Sequence, residues 1–109
     1  MTKEEMGNYL RAQRRRCGLS QRDLGILVGY GHGHAISKHE RSKSVPPLLI
    51  ALAYEIVFDI PPGQLFTGFH SVVMQAVARN IQDLKADLQS VRRRSNPERT
   101  KWLTTQRIG

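Results

Sequence analysis

The stretch Gly18-Leu19-Ser20-Gln21-Arg22-Asp23-Leu24-Gly25-Ile26-Leu27-Val28-Gly29-Tyr30-Gly31-His32-Gly33-His34-Ala35-Ile36-Ser37-Lys38-His39-Glu40-Arg41 decides the fold. Ser20 and Asp23 have the spacing of a capping box, in which hydroxyl and carboxylate each satisfy a free backbone amide at a helix start. Leu24, Leu27 and Val28 then follow at helical spacing, and Gly29 is a natural stop, which predicts a short helix over 20–28. A glycine-rich turn, Tyr30 to Gly33, leads into a second short helix over 34–41. Two short helices joined by a glycine turn are the layout of a helix-turn-helix.

Outward from this pair the chain keeps reading as helix, and no run alternates with period 2 long enough to argue a strand. Upstream, Met6, Tyr9, Leu10 and Gln13 predict a helix over 4–17, with Arg11, Arg14, Arg15 and Arg16 near its end and Gly18 as terminator. Downstream, Ser42 to Pro46 is a loop, because a residue before proline is pushed out of the helical region. Pro47 suits a first helical position. Leu48, Leu49, Ala51, Leu52, Ile56 and Val57 then give a helix apolar on most of its surface, expected to be largely buried as the core of the domain. Asp59-Ile60-Pro61-Pro62-Gly63 breaks it, and a last helical turn is expected over 62–66.

From 69 to 93 the pattern changes. Met74, Val77, Ile81, Leu84, Leu88 and Val91 step by threes and fours as a heptad-type seam, the mark of a long amphipathic helix. This seam either pairs two chains or packs on its own domain. The organisation expected is therefore a helix-turn-helix domain over 1–68, a C-terminal helix over 69–94 and a basic flexible tail over 95–109.

Charge narrows the partner. Seventeen Lys and Arg against nine Asp and Glu give a net charge of +8 in 109 residues, which calls for a polyanion. The excess is +3 over 1–16, zero over 17–78 and +5 over 79–109, so it sits at the two ends. The longest uncharged apolar run, Leu48 to Tyr54, stops far short of the roughly 20 residues a membrane span needs. The start, Met1-Thr2-Lys3-Glu4-Glu5, has no apolar signal region. A lone Cys17 argues no disulfide, and the expectation is a cytoplasmic protein without a membrane partner.

Other chemistries fit the residues poorly. Gly29-x-Gly31-x-Gly33 follows a helix rather than a strand and lacks the later glycine of a nucleotide loop. His32, His34, His39 and Cys17 match no closed four-ligand spacing, so no metal or other cofactor is expected. Cys17 has no triad arrangement around it and no carboxylate pair is evident, so the chain is not read as an enzyme.

Leu10-Arg11-Ala12-Gln13-Arg14, Gly18 to Gly25, Ala35 to Arg41, Pro46-Pro47-Leu48 and Leu65-Phe66 are successive landmarks that resemble the Cro/phage-repressor type helix-turn-helix family, the XRE family, over about residues 6–66. The resemblance implies an all-α, five-helix lambda-repressor-like DNA-binding domain whose third helix enters the major groove. By that resemblance His34, Ser37 and Lys38, with His32 and Gly33 just before them, fall on base-contact positions. Gln21, Arg41, Lys43 and Ser44 fall on phosphate-contact positions, and Arg14 and Glu40 on a structural ion pair. Gly25 stands where the family usually has Ala, a small residue being needed for the close crossing of the second and third helices, and Gly costs about 0.5–1 kcal/mol of helix stability relative to Ala. The turn from Gly29 to Ile36 is one residue longer than the commonest spacing, and Ser42 replaces the usual Gly.

The implied function is a sequence-specific regulator of transcription, most readily a repressor, binding double-stranded DNA as a homodimer in a bacterial or phage-type, nucleoid-associated setting. The rival is a protein-interaction or antitoxin-like module that uses the C-terminal helix or tail, with DNA binding secondary or nonspecific.

Overall fold

A computed structural model of the chain describes residues 7–90 and 96–106, the side chains of 88–90 excepted. Every regular element among them is helical: α1 Leu10–Arg16, α2 Gln21–Val28, α3 His34–Glu40, α4 Leu48–Phe58, α5 Pro62–Leu65, α6 Thr67–Ser90 and α7 Pro97–Thr105. The chain divides into two compact units on either side of the His70–Ser71 junction. No helix among the described residues is long and apolar enough to cross a membrane.

In the first unit, three helices end in the same way. At Gly18, Gly29 and Ser42 the backbone turns left-handed, with φ of 71°, 105° and 55°. In each case the next amide reaches back five residues: Leu19 to the Arg14 carbonyl, Tyr30 to that of Gly25 and Lys43 to that of Lys38, at 2.8–3.1 Å. These are Schellman closures. Glycine is unstrained there; Ser42 is not, and left-handed backbone at a residue with a Cβ costs about 1–2 kcal/mol.

The expected capping box of α2 is present: the Asp23 amide donates to Ser20 Oγ at 2.9 Å and the Ser20 amide to the Asp23 carboxylate at 3.0 Å. These bonds hold the Asp23 carboxyl below its usual range. The start of α1 lies later than the sequence suggested. Asn8 Oδ1 accepts from the Leu10 amide at 3.0 Å, and the Tyr9 amide donates to the Leu65 carbonyl at 2.8 Å. Residues 7–9 are thus drawn away from helical bonding toward α5, while residues 1–6 lie outside those described.

Leu10, Leu24, Val28, Ile36, Tyr54, Leu65 and Phe66 form the core of this unit. The expectation that α4 would be buried is corrected. Its Ile50, Ala53, Val57 and Phe58 pack against the core beside buried Tyr54, but Leu48, Leu49 and Ile56 are 72%, 77% and 82% exposed, and Leu52 is exposed as well. The helix carries one apolar stripe inward and a second outward.

In the second unit, Ile81 and Leu103 are buried, whereas Met74, Val77 and Leu84 are exposed. The seam is therefore mostly uncovered; the Leu88 side chain and Val91 fall outside the described residues. The expected flexible tail is corrected too. Asn96 Oδ1 accepts from the Glu98 amide at 2.9 Å and opens α7, with Pro97 at its first position and Leu103 buried. An Asn cap, a Pro at the first position and an acid in the first turn are all helix-start chemistry.

Candidate nucleic-acid interface

The site begins with how closely α2 and α3 cross. A Cβ on Gly25 would overlap the His32 carbonyl oxygen and lie 2.6 Å from its carbon. A Cβ on Gly33 would stand 3.0 Å from the backbone of Gln21 and Arg22. The turn backbone at 32–33 is thus pressed into α2 from both sides, and Gly31, at φ 76°, gives the turn the freedom to get there. The close crossing expected at Gly25 is present and outweighs helix propensity: the His32 carbonyl occupies the space of a side chain.

α3 leaves this turn with two faces. Ile36 and His39 point inward and are buried. His34, Ser37 and Lys38, at positions i, i+3 and i+4, share the other face, with His34 and Lys38 exposed and Ser37 half-buried. His32 is exposed beside them; its Nδ1 accepts from the His34 amide at 3.3 Å, and the two rings lie 5.1 Å apart. That bond assigns the proton of the neutral His32 ring to Nε2. Past the helix, Arg41 and Lys43 are exposed and Ser44 is half-buried, with Arg41 Nε donating to the Ser37 carbonyl at 3.3 Å.

Behind the exposed face lies a set of polar tethers. Arg14 grips Glu40 twice, Nε to Oε2 at 2.5 Å and Nη2 to Oε1 at 3.3 Å, and its Nη1 donates to the Leu19 carbonyl at 2.8 Å. The Glu40 side chain is only 3% exposed. Gln21 joins the same carboxylate, Nε2 to Oε1 at 3.1 Å. The residue expected at a phosphate is thus held by the ion pair.

Two further tethers had no clear sequence signal. Asn8 Nδ2 donates to the His39 carbonyl and to Ser42 Oγ, both at 3.0 Å, which ties down the strained end of α3. His39 Nδ1 and the Tyr54 hydroxyl are hydrogen-bonded at 2.7 Å inside the core. Burial lowers the His39 pKa and raises that of Tyr54, so both stay neutral near pH 7.

Among the described residues, no three of His, Cys, Asp and Glu gather as a metal would require, and Cys17 is exposed. No protein family, curated protein or solved structure matches the chain.

Proposed function

We propose that this chain is a sequence-specific DNA-binding regulator of transcription that places α3 in the major groove. The observation that carries the reading is the outward stripe of His34, Ser37 and Lys38 on a short helix whose opposite side is anchored by Arg14, Gln21, Glu40 and Asn8. Lys donates to guanine O6 and N7, and Ser and His bond base edges of several kinds. Exposed Arg41 and Lys43 are suited to phosphate, which sets register and affinity without reading sequence. The resemblance to the Cro/phage-repressor family adds a homodimer on two half-sites and repression by occupancy. A cytoplasmic, nucleoid-associated location goes with this reading.

A protein-interaction role is the second reading, favoured by exposed Met74, Val77 and Trp102 in the other unit. Selection from a random duplex library at about 0.15 M ionic strength separates the two. An enriched inverted repeat, lost in Ser37→Ala/Lys38→Ala, is expected. Binding that fades with salt and enriches no motif would reject the regulator reading.

A further inference from the structure

We propose that the outward stripe of α4 is a docking surface for a second copy of this chain, paired antiparallel about Leu52. It deepens the reading above, which calls for two copies but does not say where they meet.

Leu48, Leu49, Leu52 and Ile56 recur at helical spacing and are all exposed, so they form one apolar strip along α4, with exposed Val45 in the loop just before it. Aliphatic side chains that scatter singly over a surface need no explanation; a continuous strip of four marks a place where another surface docks. Charge selects the occupant. The chain carries a net +8, yet not one Lys or Arg stands between Ser44 and Ala78. Two copies repel each other through their basic segments and escape that repulsion on this strip.

Direction follows from the strip's two ends. Arg41 and Lys43 precede α4, and Asp59 caps its far end; all three are exposed. A parallel pairing would set like charge beside like. An antiparallel pairing about Leu52 brings Ile56 of each copy against the partner's Leu48 and Leu49, and sets the acidic end of each helix beside the partner's basic loop. The same patch serves both copies, as a two-fold interface requires.

The test is sedimentation equilibrium of the full chain, without DNA, over micromolar concentrations, for the wild type, Leu49→Glu/Ile56→Glu and Val77→Glu/Leu84→Glu. The expected result is a wild-type dimer that persists as salt rises, because the apolar contact that carries it is not screened. The α4 variant should weaken dimerisation by about 100-fold or more, since each dimer would bury four carboxylates without partners. The α6 variant should leave it within about threefold. Circular dichroism checks that the α4 variant is folded, and Leu49→Ser/Ile56→Ser serves in its place if it is not. A dimer lost only in the α6 variant, or a monomer throughout, overturns the proposal. So does a strip that sheds its exposure only on a different protein. Sequence preference for DNA, measured separately with Ser37→Ala/Lys38→Ala, tests the regulator reading independently of these results.

Discussion

The C-terminal end of α3 and the outward side of α4 are near neighbours in sequence and opposite in construction. The first is held by Asn8, Arg14, Gln21 and Tyr54, side chains drawn from four places in the chain. The second presents Leu48, Leu49, Leu52 and Ile56 with no polar tether. A helix that positions hydrogen-bond donors toward a ligand needs fixed geometry, because a misplacement of one ångström forfeits a directional bond. A surface that sticks by apolar contact needs area and shape and tolerates looser definition.

The sharpest way to break the contrast is at the notch where α2 receives the turn. Gly25→Ala should destabilise by about 3 kcal/mol or more, read as a fall in melting temperature or failure to fold, because backbone rather than a flexible side chain occupies the space. Helix propensity alone gives the opposite sign. Next comes Glu40→Ala, which leaves the buried Arg14 guanidinium without its carboxylate and should cost about 3 kcal/mol. An unchanged melting temperature would remove the ion pair from the account. Asn8→Ala should cost about 1–2 kcal/mol, since it strips a donor from the His39 carbonyl and from Ser42. At low concentration, where the chain is monomeric, Leu49→Ser and Ile56→Ser should change stability by no more than about 0.5 kcal/mol.

Acid should discriminate between the two regions as well. The pKa of His39 is lower in the folded chain than its ordinary value near 6.5, so the unfolded chain binds the extra proton first. Stability is then fully present above about pH 6.5 and declines as pH falls toward the folded pKa. Melting curves from pH 7.5 to 5.5 should show that decline, and His39→Gln should flatten it. A slope that survives the substitution would assign the effect to other groups.

What the sequence disclosed was local chemistry. Ser20 with Asp23, and Gly18 and Gly29, announce where helices start and stop because each acts on backbone within a few residues. The Arg14–Glu40 pair came from the family resemblance, not from spacing. Asn8 acts on residues 31 to 34 positions away, and no local pattern marks such a bond. The exposure of α4 was hidden for another reason: with apolar residues on both sides, periodicity cannot tell an inward stripe from an outward one. The α7 helix is legible in Asn96-Pro97-Glu98, a cap, a first-position proline and a first-turn acid, whereas Leu103 gains its burial only in the folded chain.

In the proposed function, α3 reads bases while the loop after it grips phosphate. Anisotropy titrations with a preferred duplex and a scrambled one, at about 0.15 M ionic strength, test it most directly in Lys38→Ala and Lys43→Ala. Lys38→Ala should lose about 1–3 kcal/mol of discrimination between the duplexes. Lys43→Ala should weaken both alike and keep the ratio. Equal weakening of both duplexes by both variants would contradict base reading by α3.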